Sequence, residues 1–254
     1  MTGSPEYQEI LSTLFSVADA VEARVSANAS WKGTDGHVGQ FQADIDADEA
    51  ARSILINNGY TIFSEESGFS ESSKLKDSQI VVVIDPVDGS TNASRGIPFF
   101  AVSLCALVQG RPVVSVVRNL ANGDTYHAEI GNGSFKNGKK ISVSGQTMIS
   151  RSIVATNGYS KSHLGWEQYR AFGSAALELC MVAEGSLDAF IDLSESALGS
   201  WDVLGGALIC MLAGAHIIGL ADFNFSRFDL SKRWRVVAAG SEQLASDLSN
   251  RAWR

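Results

Sequence analysis

The chain has 254 residues, 45% of them hydrophobic and 19% charged, so it is long enough for one large domain, or two that share a core, of ordinary globular composition. Its net charge of −8 argues against nonspecific binding to nucleic acid or to an anionic membrane, because both need a basic face. Three unpaired cysteines in apolar runs, and an N-terminus without a signal-peptide pattern, favour a cytoplasmic protein that is not membrane-bound.

The N-terminal half is predicted to begin with two helices and to continue as strands. Ser4 as a cap and Pro5 at the first helical position predict the start of the first helix, and residues 44–59 predict the second. In the Gly-rich segment 28–40 between them, Trp31 and Lys32 are predicted to be mobile and not packed. Strand patterns follow at 60–63, 80–84, 99–108, 112–119, 124–130 and 139–144, with a hairpin turn at 109–111.

The C-terminal half alternates between strand and helix patterns. Strands are predicted at 151–156, 186–193, 215–222 and 233–240, and helices at 173–185, 201–214 and 241–250. No repeat or low-complexity linker interrupts the chain. We therefore predict one α/β (α+β) unit over residues 1–254, made of two closely associated halves, about 1–148 and 149–254, in a layered arrangement and not a barrel.

The acidic segment DPVDGST, residues 85–91, follows four β-branched residues that predict a buried strand. In isolation, Asp-Pro-x-Asp-Gly is ordinary type I turn chemistry, and a turn without function is then the stronger interpretation. The hydroxyl and N–H groups that follow favour an anion site instead. Asp85 and Asp88 can converge on one small volume, where two carboxylates repel unless a cation separates them. Magnesium suits such oxygen donors, and the Val87 carbonyl is a further candidate ligand.

Two other acidic positions are candidates for the same site. Glu65 and Glu66 end the preceding strand, so they reach Asp85 if the two strands are neighbours. A Glu-Glu pair is usually a solvated loop feature, but in this context Glu65 is predicted to be a ligand. Asp202 begins a helix, where the dipole alone favours an acid, and its candidacy depends on a resemblance.

The motif DPVDGSTN, residues 85–92, resembles the D-P-x-D-G-[TS]-x-N signature of the inositol monophosphatase family of sugar-phosphate phosphatases. An E-E-S element precedes it and a W-D pair follows it, in the family's order. Residues 131–144 and 173–190 are similar to two further family motifs, so the resemblance covers most of the chain from about Asp44 onward. It implies a layered αβαβα sandwich and a magnesium-dependent phosphomonoesterase. The implied ligands of two or three Mg²⁺ ions are Glu65, Asp85, the Val87 carbonyl, Asp88 and Asp202.

The resemblance also implies catalytic residues. Glu65 is one, and Ser90 occupies the position of a hydroxyl that orients an attacking water, so no covalent intermediate is expected. An upstream aspartate partners that hydroxyl in the family. Asp44 fits this role better than Asp46, because apolar residues then fall on one face of the following helix.

The substrate side is implied less directly. Asp192 or Glu195 is expected to accept hydrogen bonds from substrate hydroxyls, and Arg170 either meets a second phosphate or is a surface helix charge. The implied substrate-binding residues are Asp88, Gly89, Ser90, Thr91, Arg170, Gly173, Ser174, Ala175 and Asp192. Ser64 and Ser90 stand where the family commonly has Gly and Thr, which are mild departures.

The loop WKGTDGHVG, residues 31–39, is similar to a G-x-D-G loop of the archaeal-type branch that hydrolyses both inositol monophosphate and fructose 1,6-bisphosphate. Both compounds are therefore expected substrates. The expected partner is a small phosphate ester, and the family suggests a homodimer. LICMLAGA, residues 208–215, lacks a glutamate that the family has there, which puts nearby substrate contacts in doubt but not the metal ligands.

Three alternatives stay open. Haloacid-dehalogenase phosphatases also end a strand on acids, but their aspartates are two positions apart, whereas Asp85 and Asp88 are three apart. A phosphatase of 3′-phosphoadenosine nucleotides shares the metal site but needs an adenine pocket that the sequence does not identify. A non-catalytic phosphosugar-binding module has no need for such an acidic cluster.

Overall fold

The structure, a computed structural model, describes residues 4–28, 30–34, 39–70, 80–219 and 230–253. The helices in this part of the chain are α1 (Pro5–Asn28), α2 (Gln42–Asn57), α3 (Ser90–Ser94), α4 (Ala175–Ala183), α5 (Ser200–Leu212), α6 (Glu242–Ala252) and a 3₁₀ turn at Ile149–Arg151. The strands are β1 (Thr61–Ser64), β2 (Gly68–Phe69), β3 (Ile80–Asp88), β4 (Ala101–Val108), β5 (Arg111–Asn119), β6 (Thr125–Glu129), β7 (Gly133–Lys136), β8 (Lys139–Lys140), β9 (Ile153–Asn157), β10 (Gln168–Arg170), β11 (Ala189–Asp192), β12 (His216–Ile218) and β13 (Val237–Ala239).

Two sheets form from these strands. The larger has the order β2-β1-β3-β4-β5-β6-β7-β8, in which β1 and β3 are parallel and the later neighbours are antiparallel. The smaller has the order β10-β9-β11-β13-β12, in which β9 is parallel to both β10 and β11. The predicted division near residue 148 falls between these two sheets. That the two halves form a single unit stays a prediction.

Side-chain alternation along the strands produces the layers. In β3, Val82 and Ile84 belong to a core with α1 and α2, whereas Val81 and Val83 belong to a core with α4 and α5. That second core also contains one face of the smaller sheet, for example Phe190, and α6 covers the opposite face. Helices and sheets therefore alternate in five layers, and the predicted αβαβα sandwich is confirmed.

Two glycines let α5 lie close to its neighbours. A Cβ on Gly205 would stand 2.5 Å from the Ser103 Oγ in β4, and one on Gly206 would stand 2.6 Å from the Leu179 Cβ in α4. Real Cβ atoms do not approach so closely, so larger residues would push α5 outward. The close fit places the first turn of α5 beside the end of the larger sheet.

Most predicted elements are present, with several exceptions. The hairpin is confirmed, with positive φ at Gln109 (53°) and Gly110 (75°), the geometry of a type I′ turn. The prediction that Trp31 is not packed is wrong, because its ring contacts those of Phe41 and Phe100 at 5.9 and 6.4 Å between centroids. Residues 35–38 and the end of the predicted strand 215–222 lie outside the described residues. Strands β2, β7 and β10 were not predicted. No described helix is long and apolar enough to cross a membrane.

Candidate metal and phosphate site

The parallel register of β1 and β3 places Glu65 beside Asp85. Ser64 pairs with Ile84, so the residues that follow each of them are neighbours at the same edge of the sheet. The Glu65 amide donates to the Ile84 carbonyl at 3.1 Å and continues the ladder by one residue. The sequence predicted that Glu65 lies beside Asp85 if the two strands are neighbours, and the structure confirms that they are.

A third carboxylate comes from the first turn of α5. Asp202 is the third residue of this helix, and its Oδ2 accepts a hydrogen bond from the Gly199 amide at 2.6 Å. This bond caps the helix and fixes the side chain. Ligand oxygens of Glu65, Asp85 and Asp202 all lie within 4.8 Å of one another, close enough to share a metal ion.

Asp88 lies next to this cluster and is held against α4. Its Oδ2 accepts hydrogen bonds from the Ser174 hydroxyl at 2.6 Å and from the Ala176 amide at 2.7 Å. Val87, whose carbonyl is a predicted ligand, is buried between the two aspartates, and its amide donates to Asp85 Oδ1 at 3.1 Å.

Burial and mutual repulsion raise the pKa values of these carboxyl groups. Burial, followed by repulsion from Asp202, raises the pKa of Glu65 to about 8. Burial raises the pKa of Asp202 to about 7 and that of Asp85 well above its ordinary value. Burial also raises the pKa of Asp88 to about 6, against the hydrogen bonds from Ser174 and Ala176. A set of clustered oxygen donors with disfavoured negative charge fits a hard divalent cation.

The turn after Asp88 is packed tightly against the segment that precedes α4. Gly89 has φ of +92°, and a Cβ there would stand 2.9 Å from the Gly173 carbonyl oxygen. The Asn92 amide fastens the two segments, since its Nδ2 donates to the carbonyls of Phe99 at 2.8 Å and Phe172 at 2.6 Å. The glycine-hydroxyl segment Gly89-Ser90-Thr91 and the segment Gly173-Ser174-Ala175 therefore lie side by side.

Comparison with known proteins agrees with this arrangement. The sequence model of the inositol monophosphatase family matches residues 7–253. The chain belongs to this family. It is 35% identical over 207 residues to a protein of Archaeoglobus fulgidus named fructose-1,6-bisphosphatase/inositol-1-monophosphatase, covering 79% of each chain. It is 32% identical to a Pasteurella multocida protein named Nus factor SuhB, covering 88% of this chain and 85% of that protein. The fold matches inositol monophosphatase from Anabaena (Nostoc) sp. PCC 7120 with a TM-score of 0.80, at 24% identity over 97% of this chain and 96% of that one.

The structure distinguishes the two aspartates that the family resemblance left as rivals. Asp44 is buried, and its Oδ2 accepts from the Phe41 amide at 2.8 Å while its Oδ1 has no hydrogen-bond partner among the described residues. Burial raises the pKa of Asp44 to about 7, with a further contribution from Glu66. Asp46 instead forms a surface ion pair with Arg24 at 3.3 Å. No hydrogen bond joins Asp44 to Ser90 in the described chain, so its role stays a prediction.

The predicted residues on the substrate side are more scattered. Asp192 is fully buried, and its Oδ1 accepts from Asn157 Nδ2 at 2.9 Å while its Oδ2 has no partner among the described residues. Glu195 is exposed. Arg170 is exposed on β10, not on a helix, and its guanidinium donates to the Tyr169 carbonyl and to Gln168 Oε1, both at 2.8 Å.

The sequence analysis did not single out two buried acids, Glu178 and Asp48. Glu178, 1% exposed in α4, accepts from the Phe172 amide at 2.7 Å, and burial raises its pKa to about 8. An acid in the apolar helix AALELCMVA was the available signal. The Ser64 hydroxyl donates to Asp48 Oδ1 at 2.6 Å, which explains how a serine is accommodated where glycine is common.

Proposed function

We propose that this chain is a magnesium-dependent phosphomonoesterase that hydrolyses small sugar or polyol phosphates, with inositol 1-phosphate and fructose 1,6-bisphosphate as its first candidate substrates. The observation that carries the proposal is the convergence of the Glu65, Asp85 and Asp202 carboxylates at the edge of the sheet. The name of the Archaeoglobus relative, which joins both activities, supports these two substrates.

The proposed ligands of two or three Mg²⁺ ions are Glu65, Asp85, the Val87 carbonyl, Asp88 and Asp202. When bound, Mg²⁺ supplies positive charge to the phosphoryl oxygens and lowers the pKa of the attacking water. Positioning and charge neutralisation account for most of phosphoryl-transfer catalysis, so the carboxylates need not attack the substrate.

The chain's own residues orient the reactants in this proposal. The Ser90 hydroxyl, Asp44 and Glu65 are the residues proposed to hold the water, and Asp44 has an unpartnered oxygen that such a network can use. The amides of Gly89, Ser90 and Thr91 bind the phosphate. Gly89 has a positive φ and lies close to Gly173, and both features favour glycine at this position. Because glycine has no Cβ, no side chain obstructs the approach of a phosphate to the backbone of this turn.

The sugar side is proposed to consist of Gly173, Ser174, Ala175 and Asp192. The unpartnered Asp192 Oδ2 is a ready acceptor for a substrate hydroxyl, and it favours Asp192 over the exposed Glu195. Arg170 uses two of its five N–H groups on Tyr169 and Gln168 and keeps the others for a second phosphate. A homodimer and a cytoplasmic location complete the proposal.

The experiment is phosphate release measured side by side from inositol 1-phosphate, fructose 1,6-bisphosphate and 3′-phosphoadenosine 5′-phosphate, with Mg²⁺ and with EDTA. We expect magnesium-dependent release from the first two. Preference for the nucleotide would keep the metal site and replace the substrate. No release from any of them, with metal bound, would favour a non-catalytic role, a relevant outcome because one relative carries the name of a Nus factor.

A further inference from the structure

Two cavities adjoin along the loop that follows β9, outside the carboxylate cluster. The first, which we call the aromatic cavity, has a volume of about 300 Å³ and includes Tyr159, His163, Trp166 and Tyr169 in its wall. The second, the basic cavity, has a volume of about 420 Å³ and includes Lys161, Arg235 and Arg251. Tyr159, Ser160 and Ser162 belong to both walls, so one ligand can extend from one cavity into the other.

The aromatic cavity combines ring faces with an unused donor. The Trp166 ring lies 5.7 Å from His163 and 5.9 Å from Tyr169 between centroids, and Tyr159 is 84% exposed at the rim. The Trp166 indole N–H is buried without a hydrogen-bond partner among the described residues. Such a donor is costly unless a ligand atom or water accepts from it.

His163 supplies a second donor. Its Nδ1 accepts from the Gly165 amide at 3.0 Å, so in the neutral ring the proton is on Nε2. The rings offer stacking surfaces, and the two N–H groups offer hydrogen bonds to ring nitrogens or a carbonyl. This combination suits a flat heteroaromatic ring better than a sugar or an aliphatic chain.

The wall of the basic cavity contains three cationic side chains and two acidic ones, Asp192 and Glu195. None of the ion pairs in the described chain involves Lys161, Arg235 or Arg251. Arg235 donates to the Glu195 carbonyl at 3.2 Å and Arg251 to the Leu164 carbonyl at 2.9 Å, which leaves their charges intact. Three cations against two acids leave one excess positive charge in this wall, in a protein of net charge −8, which suits an anionic ligand. The two carboxylates can accept from hydroxyl groups, and Asp192 is shared with the proposed sugar side of the phosphatase site.

We propose that these two cavities together bind a nucleoside phosphate, with the base in the aromatic cavity and the phosphate in the basic cavity. A nucleotide has a flat ring at one end, a hydroxylated sugar in the middle and a phosphate at the other end. The two cavities offer aromatic rings at one end, the shared residues Tyr159, Ser160 and Ser162 in the middle and cationic side chains at the other end. The proposal goes beyond the phosphatase activity, because binding here needs neither the carboxylate cluster nor a metal ion.

The test is isothermal titration calorimetry of the full chain with AMP, in EDTA so that the carboxylate cluster contributes no metal-mediated binding. Adenosine and ribose 5-phosphate are titrated in parallel, because each can fill one cavity alone. We expect AMP to bind at least about tenfold more tightly than either fragment. No AMP binding up to about 1 mM, or ribose 5-phosphate binding as tightly as AMP, overturns the proposal.

Substitutions locate the ligand. Tyr159→Ala and Arg235→Gln affect exposed side chains, so both variants are expected to fold, and each should weaken AMP binding by about fivefold or more. Trp166→Phe keeps a ring and removes the N–H. Matched controls in the other sheet are Phe69→Ala and Lys139→Gln, both at exposed positions, which should bind AMP like the wild type. Equal AMP affinity in Tyr159→Ala, Arg235→Gln and the controls would overturn the assignment.

Discussion

The Ser174 hydroxyl donates a hydrogen bond to Asp88 Oδ2 at 2.6 Å, although the two residues lie 86 positions apart in the chain. This bond joins the end of β3 in the larger sheet to the beginning of α4, and it holds one oxygen of Asp88 against that helix. The orientation of a proposed metal ligand therefore depends on a residue from the other half of the chain.

Ser174→Ala should lower kcat/KM by about tenfold to a hundredfold, because a hydrogen bond to a charged group contributes about 1.5–3 kcal/mol. Stability should fall by about 1 kcal/mol as well, since Ser174 also caps α4 by accepting from the Leu177 amide. Steady-state kinetics and urea unfolding measure the two effects. Ser174→Thr keeps the hydroxyl and should recover activity, whereas Ser186→Ala, at an exposed position, should change neither quantity. Full activity in Ser174→Ala would contradict the proposed positioning of Asp88.

Asp85→Asn should stabilise the metal-free protein. Burial, and after it repulsion from Glu65, Asp88 and Asp202, raises the pKa of Asp85, so loss of its charge removes an unfavourable interaction. The Asn side chain can still accept from the Val87 amide. The thermal midpoint in EDTA should therefore rise above that of the wild type, while its increase on adding Mg²⁺ disappears. A variant that keeps the full magnesium response would show that Asp85 is not a ligand.

The stability of the metal-free protein should decrease as pH rises through neutrality. Burial raises the pKa of Glu65 from 4.5 to about 8 and that of Asp202 from 3.8 to about 7, so the folded state holds these protons more tightly than the unfolded chain. The resulting stabilisation is complete below about pH 4 and is lost as pH rises through about 7 to 8.

Thermal midpoints in EDTA and in Mg²⁺ at pH 6 and pH 8 measure this effect. The gain from Mg²⁺ should be larger at pH 8, because the ionised carboxylates then repel most strongly. A gain that is larger at pH 6 would contradict the role of these groups in binding the ion.

Gly89→Ala should reduce both stability and turnover more than Gly96→Ala does. Both glycines have positive φ, 92° and 71°, so the backbone strain of an added Cβ is similar. At Gly96 nothing lies within 4 Å of that Cβ, whereas at Gly89 the Gly173 carbonyl oxygen is 2.9 Å away. The excess loss of unfolding free energy at Gly89 should be about 1 kcal/mol or more. Chemical denaturation measures the free energy of unfolding of both variants. Equal decreases in Gly89→Ala and Gly96→Ala would contradict the close contact between Gly89 and Gly173.

Part of the carboxylate cluster could be predicted from the sequence, namely the residues whose position follows from local strand patterns. Glu65 and Asp85 follow buried strand patterns, and the ends of parallel neighbouring strands meet at one edge, so their proximity depends on the strand pairing alone. Asp202 had no such local signal, because an acid at the first turn of a helix is common, and its place came from the family resemblance.

The contacts that escaped prediction are long-range or irregular. The bond from Ser174 to Asp88 and the bond from Ser64 to Asp48 depend on tertiary packing, which a single sequence does not encode locally. Strand β10 has three exposed residues and therefore shows no hydrophobic alternation. The prediction for Trp31 is wrong because Gly-rich surroundings indicate an unpacked loop, whereas the ring packs on Phe41 and Phe100.

The central claim, that the acidic cluster is a magnesium-dependent phosphatase site, is tested most directly by the rate of phosphate release from inositol 1-phosphate as Mg²⁺ is titrated into the wild type and Asp202→Asn. Asp46→Asn, a surface aspartate outside the cluster, is the matched control. We predict saturable magnesium activation in the wild type and in Asp46→Asn, and loss of turnover in a folded Asp202→Asn protein. Near-normal turnover in Asp202→Asn would contradict the claim.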